Sequence, residues 1–336
     1  MTIKYVTITG ADDKTSHEAM IEISKKYPFV EWGILLSSSV NLIPSQGTPR
    51  YPSLEWVKEL KRKVEEARMN EEVKMNFSAH LCGGYTREMI EKGTNDLVQE
   101  NLKDIGRLFG RVQLNFNAGG VDVHEGLYDF ITKNSDEIKF ILQNNKANAV
   151  VIDQTFKRNI RVDLLWDSSG GRGVVSDDWA LPFFERFTGY AGGLNPDNLA
   201  EKLEKFFQLQ SPVEIWIDAE TGVRTNDELD LVKVEKFLEI ASKYTAPYPK
   251  RYDFSKEDRY VIAEFVFSDQ ADVLIVSDCT KLVEVLAKHG IIVGKDEWME
   301  HIDNKAQGIV SSLRKILTER VAMDQGKEIM NEYYGK

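Results

Sequence analysis

The chain has 336 residues, 42% of them hydrophobic and 29% charged, with a formal net charge of −11. That length is too great for one small core and suits an eightfold α/β barrel plus an addition. The acidic balance, with no basic cluster, argues against nucleic acid or an anionic membrane as the main partner, whereas a phosphorylated small molecule stays open because backbone amides bind phosphate without net positive charge.

The two cysteines, Cys82 and Cys279, lie far apart and form no metal-ligand spacing. The five histidines show neither HxH nor HExxH, so no metal or other cofactor is expected. The N-terminal Met1-Thr-Ile-Lys-Tyr-Val6 lacks a charged leader followed by an apolar core. No apolar run approaches the ~20 residues of a membrane helix, and a cytoplasmic protein is expected.

Strand-like and helix-like stretches alternate along the chain. Tyr5 to Thr9 is a β-branched strand ended by Gly10, and Lys14 to Lys26 a helix. Val30 to Leu36 is the second strand; a proline-rich loop leads to a helix capped by Ser53. Val73 to Ala79 is the third strand, followed by a helix from Thr86 to Leu108 with a break at Gly93. Arg111 to Phe116, Ile138 to Gln143 and Val162 to Trp166 are the next strands, with helices over Val123 to Lys133 and Ala147 to Lys157 between them. Trp179 to Arg186 reads as a helix, Phe187 to Ala191 as the seventh strand, and Pro196 to Gln208 as a helix with proline in its first turn. Val213 to Ile217 is the eighth strand, and Leu231 to Ser242 its helix. Strict alternation predicts parallel strands, since each needs a crossover helix to return. Eight such units predict a (βα)8 TIM barrel over residues 1–246; the rival open sheet lacks a Rossmann fingerprint near the N-terminus.

In such a barrel every strand ends on one face, and that face carries the chemistry. Asp167 ends the sixth strand, ahead of the turn Gly170-Gly171-Arg172-Gly173. It is either an acid held against a ligand or the cap of a surface turn. Gly192, Gly193 and Gly222 let the backbone after strands seven and eight turn its amides toward an anion, or serve only as tight turns. Asp12 and Asp13 cap the first helix or offer a carboxylate base. His80 and Cys82 follow the third strand as a possible base pair, or as a satisfied loop histidine and an inert buried thiol.

Several segments, in order, resemble phosphoribosylanthranilate isomerase, a tryptophan-pathway (βα)8 enzyme. Val6-Thr-Ile-Thr-Gly10 is similar to V-K-I-C-G, Thr48-Pro-Arg-Tyr-Pro52 to S-P-R-Y, and Val112-Gln-Leu-Asn115 to V-Q-L-H. Leu164 to Trp179 resembles L-L-L-D-x-x-x-G-G-x-G with its D-W pair, and Ile217-Asp-Ala-Glu-Thr-Gly-Val223 resembles V-D-V-S-S-G-V. The most specific is Ala191-Gly-Gly-Leu-Asn-Pro-Asp-Asn198, close to A-G-G-L-N-P-x-N. The resemblance implies a phosphoribosyl-type ligand with its phosphate on Gly192-Gly193 and Thr221-Gly222, and with Gly171 contributing from the sixth loop. It implies Asp167 as general acid, Arg50 paired with a substrate carboxylate, and an Amadori-type isomerisation of a phosphosugar.

Two positions depart from the family pattern. Thr9 stands where the family has its cysteine base, and a hydroxyl ionises too weakly for that role near pH 7. Asn115 replaces a histidine. Asp12 or Asp13, and His80 or Cys82, are candidate substitutes, and Asp218, which ends the eighth strand, is a third, though its family counterpart reads as structural.

Residues 247–336 form a mostly helical C-terminal extension. Ser255 caps a helix to Phe267, Lys281 to Lys288 is amphipathic, and Ile309, Leu313, Ile316, Leu317 and Val321 share one helical face. The extension packs on the barrel, forms a small domain, or binds a protein partner or second subunit. The alternative to an isomerase is a non-catalytic descendant that binds a ligand or protein through this extension.

Overall fold

β-Branched and aromatic runs with one face toward a lumen and one toward covering helices have a single closed solution, a barrel. The computed structural model describes residues 2–41, 47–71, 73–167, 179, 181–182, 186–207, 214–245, 254–267, 276–288 and 329. The elements begin with β1 (Thr2–Thr9), α1 (His17–Lys26), β2 (Val30–Ser37), α2 (Ser38–Asn41), α3 (Leu54–Glu71), β3 (Asn76–Cys82), α4 (Gly84–Lys92) and α5 (Asp96–Leu102). They continue with β4 (Arg111–Leu114), α6 (Gly126–Asn134), β5 (Lys139–Asn144), α7 (Ala149–Lys157), β6 (Asp163–Trp166), β7 (Thr188–Tyr190), α8 (Leu199–Phe207) and β8 (Glu214–Ala219). A short hairpin, β9 (Arg224–Thr225) and β10 (Glu228–Leu229), precedes α9 (Leu231–Ser242); α10 (Lys256–Phe267) and α11 (Val276–Lys288) follow.

Strands β1 to β8 pair in sequence order, all parallel, and β8 closes back on β1. The protein is a (βα)8 barrel. Side chains alternate across each strand. Ile8, Ile34, Leu36 and Phe77 lie buried among the outward-facing residues, while Tyr5, Thr7 and Thr9 on β1 alternate with them. Ile141, Leu165 and Trp216 form a buried cluster in the lumen, with Tyr5, Phe187 and Ala191 packed against it. The indole of Trp216 takes the room that a side chain at 189 would need: a Cβ on Gly189 would lie 2.0 Å from Trp216 Cε2.

At the N-terminal end of the lumen Arg111 is sandwiched between acids. Its Nη1 donates to Glu31 Oε2 at 3.0 Å and its Nη2 to Asp163 Oδ2 at 3.2 Å. Thr7 Oγ1 donates to the same Glu31 oxygen at 2.8 Å, and the guanidinium lies 4.1 Å from the Trp216 ring centroid. A charge this deep is tolerated only when paired and hydrogen-bonded.

Some boundaries differ from the periodicity. The third strand runs three residues later than expected, which sends Ser78, His80 and Cys82 to one face. Gly93, at φ 69°, ends α4 in the left-handed region, so the expected long helix is α4, α5 and a 3-10 turn at Gly106–Leu108. Residues 196–198 form a turn and α8 starts at Leu199, because Asn195 Oδ1 already accepts from the amides of Asp197 and Asn198. Of the helix expected over Trp179 to Arg186, the described residues 179, 181, 182 and 186 are not helical, and residues 180 and 183–185 lie outside the described residues.

The chain divides into two compact units, Met1–Ala246 and Pro247–Lys336. In the second, a reciprocal cap starts α10: Asp258 N donates to Ser255 Oγ at 3.1 Å and Ser255 N to Asp258 Oδ2 at 3.3 Å. Lys288 on α11 reaches Asp258 at 2.9 Å. The apolar face from Ile309 to Val321 lies outside the described residues. Among the described residues no helix is long and apolar enough to cross a membrane.

Candidate functional site

The C-terminal mouth of the barrel opens into a cavity of about 530 Å³ whose walls include Arg50, His80, Cys82, Asp167, Asp218 and Glu220. The period of two dictates who reaches it: His80 and Cys82 on β3, Gln113 and Asn115 at β4, Asp218 and Glu220 at β8 alternate with residues buried under helices. Asp167, only 4% exposed, stands at the end of β6 on this wall.

Two turns form the rim. Gly192 and Gly193 adopt φ of 103° and 65° after β7, and Thr221–Val223 makes a 3-10 turn after β8. Among the described residues the backbone N–H groups of Gly192, Gly193, Thr221 and Gly222 have no hydrogen-bond acceptor. The turns touch: a Cβ on Gly222 would lie 1.9 Å from the carbonyl oxygen of Leu194. Gly192, Gly193, Thr221 and Gly222 all line the cavity. Gly171 lies outside the described residues.

Thr9 is buried and donates its hydroxyl to Asp218 Oδ1 at 2.8 Å. Gly33 on the neighbouring strand makes this possible. A Cβ there would fall 2.4 Å from Thr9 Oγ1 and 2.9 Å from His80 Cε1. Burial, reinforced by the charges of Glu220, Glu31 and Asp167, pushes the Asp218 carboxyl up to about 8, against the opposing hydrogen bond from Thr9.

The other candidates for a base are differently held. Asp12 is buried but accepts from Arg224 Nη2 and the Arg50 amide, each at 3.1 Å, and from the Lys14 amide at 3.2 Å. These bonds tie the first loop to the β8 hairpin, away from the cavity wall. His80 is buried, with Nε2 3.1 Å from Ser78 Oγ. Burial and the charge of Arg111 push its imidazole down to about 3. Cys82 receives the Asn115 amide at 3.3 Å and a bond with the Tyr51 hydroxyl; burial pushes its thiol up.

Arg50, at φ 74°, donates to Glu220 Oε1 and Asp227 Oδ1, each at 2.9 Å. Glu220, Asp227 and Tyr51 carry no role in the sequence reading. Period two was the available signal for Glu220, which shares a face with Asp218. Asp227 comes near only because the hairpin at Asn226–Asp227, both at positive φ, folds back over the rim.

These titrations oppose one another. The unfolded chain binds one proton more than the fold at His80 between pH 6.5 and 3, so that group destabilises as pH falls through the window. The fold binds one proton more at Asp218 between about 3.8 and 8, so that group destabilises as pH rises. Each slope is about 1.4 kcal/mol per pH unit, and above pH 6.5 the His80 slope is gone. Denaturant melts are expected to lose about 2 kcal/mol between pH 6.5 and 8 through Asp218, and Asp218→Asn is expected to lack that loss; parallel profiles for the two proteins would refute the assignment.

No family model and no curated protein matches the sequence. Among solved structures, the chain is similar to phosphoribosyl anthranilate isomerase in complex with reduced 1-(o-carboxyphenylamino)-1-deoxyribulose 5-phosphate, at 14% identity and TM-score 0.43 over 72% of this chain and 100% of that one. It is similar to N-(5'-phosphoribosyl)anthranilate isomerase from Pyrococcus furiosus at 15% identity and TM-score 0.42, over 71% of this chain and 98% of that one. The isomerase from Thermus thermophilus gives 15% identity and TM-score 0.44 over the same shares, 71% and 98%.

Proposed function

We propose that the barrel binds a small phosphorylated, phosphoribosyl-type ligand and acts on it as an acid–base isomerase, with Asp167 as the acid. The observation that carries this reading is the set of four amides, unengaged among the described residues, on two touching turns at the rim of a cavity that Asp167 also lines. Amides fixed in this way bind a phosphate oxygen without reorganising and without a lysine or arginine of their own. Their partial positive charge acts at short range, which lets them work beside an acidic wall. That wall carries less negative charge than its composition suggests, because burial favours the protonated Asp218 and Arg50 pairs with Glu220.

With the phosphate on the rim, the sugar extends down toward Asp167. The acid gives its proton to the sugar oxygen as the ring carbon–oxygen bond breaks, or to the carbonyl oxygen of the open chain. Arg50 would exchange Asp227, its more exposed partner, for a substrate carboxylate. The test is calorimetric titration with inorganic phosphate and D-ribose 5-phosphate. Both are expected to bind the wild-type protein, and Asp167→Asn is expected to bind D-ribose 5-phosphate within threefold of wild type while losing at least 10³-fold in aldose–ketose interconversion. Absence of binding by either ligand would refute the phosphate reading, and unchanged turnover in Asp167→Asn would refute the acid.

A further inference from the structure

We propose that Asp218, oriented by the Thr9 hydroxyl, is the group that takes the carbon-bound proton in this mouth, so that the base stands on β8 rather than on β1. The inference rests on the phosphosugar reading above and adds the residue that reading lacks.

The geometry is that of a carboxylate with one oxygen fixed and one offered. Oδ1 receives Thr9 at 2.8 Å, while Oδ2 has no hydrogen-bond partner among the described residues, and the residue lines the cavity together with Asp167. A hydroxyl cannot itself abstract a proton from carbon, but it can hold the acid on the adjacent strand in one rotamer. The vacancy left by the absent Gly33 side chain is what seats the hydroxyl there. Competing groups in the mouth are engaged or mistuned: His80 is a very weak base, Cys82 is a protonated thiol, Glu220 is paired with Arg50, and Asp12 is paired with Arg224. The groups acting on Asp218 are Thr9 from β1, Glu31 from β2, Asp167 from β6 and Glu220 from its own turn. Glu31 and Glu220, and Asp167 when ionised, favour its protonated form and the hydroxyl favours the ionised one; the step requires Asp167 to hold its proton while Asp218 has lost its own. The balance sets a proton acceptor close to working pH, where general bases are most effective.

For an open-chain aldose phosphate the step balances without an external reagent. Asp218 takes the proton on C2, and the released pair forms the C1–C2 double bond. The carbonyl pair moves onto the C1 oxygen, which receives the Asp167 proton. Return of the Asp218 proton to C1, with the C2 hydroxyl proton passing back to Asp167, gives the ketose. Thr9 is a positioning residue in this scheme.

The experiment is wash-out of the C2 proton of D-ribose 5-phosphate in D2O, followed by proton NMR across pH 6 to 9. Wild type is expected to speed the exchange, tenfold per pH unit up to a plateau near pH 8. Asp218→Asn should lose at least 10³-fold while its phosphate affinity stays within threefold. Thr9→Val should retain exchange but move the rising limb to higher pH, since it removes the bond that favours the carboxylate. Exchange at the wild-type rate in Asp218→Asn, an unmoved limb in Thr9→Val, or binding by wild type with no exchange would each overturn the proposal. Failure of wild type to bind D-ribose 5-phosphate would instead refute the ligand reading; Asp218 is then judged by its stability profile, where a slope between pH 6.5 and 8 that survives Asp218→Asn overturns it.

Discussion

Arg111→Met is expected to destabilise the barrel by about 3–5 kcal/mol at pH 7, a fall in melting temperature on the order of 10 °C for a domain of this size. Arg111 is 6% exposed and Glu31 1%, and the guanidinium is the cation bonded to both Glu31 and Asp163. Removing it leaves two acids in the lumen, where among the described residues the Thr7 hydroxyl is the side-chain donor that still reaches Glu31. The loss should shrink in acid, because the stranded carboxyls then protonate; burial already raises Asp163 against the pull of Arg111. Replacing all three charges together, Glu31→Gln, Arg111→Met and Asp163→Asn, should recover most of the stability, since an uncompensated charge costs more than the pair contributes. Urea melts of the single and triple variants at pH 7 and pH 5 would check this. Equal stability of wild type and Arg111→Met would show that water or local movement already solvates the cluster.

Gly222→Ala is expected to weaken inorganic phosphate binding by at least tenfold, about 1.4 kcal/mol. The new Cβ would sit 1.9 Å from the Leu194 carbonyl oxygen and 2.8 Å from Asn195 Cβ, and neither is the end of a flexible side chain. The two turns must part, and the spacing between the amides of the two turns would change. Overpacking of this kind costs about 1–3 kcal/mol, so the variant should still fold. Gly120→Ala is the control: it imposes a side chain at positive φ, 78°, a strain that Gly222→Ala does not carry, but meets nothing within 4 Å and lies outside the rim. It should lose stability without losing phosphate affinity. Equal phosphate affinity in Gly222→Ala and wild type would mean that the adjoining turns are not the anion site.

What could be read along the chain was local and periodic. Alternation of strand and helix patterns predicts parallel strands, and the structure closes eight of them in sequence order. The Leu231–Ser242 helix and the Ser255 cap follow from short-range signals, and both stand where the residues put them. The resemblance drew attention to the mouth, with Asp167 and the two glycine-rich turns, because motif residues sit close together in sequence. The long-range pairings at the mouth could not be read that way. Thr9 and Asp218 are 209 positions apart, and Arg50 and Glu220 are 170 apart. Each pair forms only because a closed ring brings its last strand beside its first and folds the intervening loops over one rim. Threonine at position 9 therefore reads along the chain as a departure from the family's base, whereas in the fold its hydroxyl meets an acid from the other end of the barrel. The strength of that acid was equally out of reach, since a carboxyl's proton affinity depends on which charges and how little water surround it, and only barrel closure determines both.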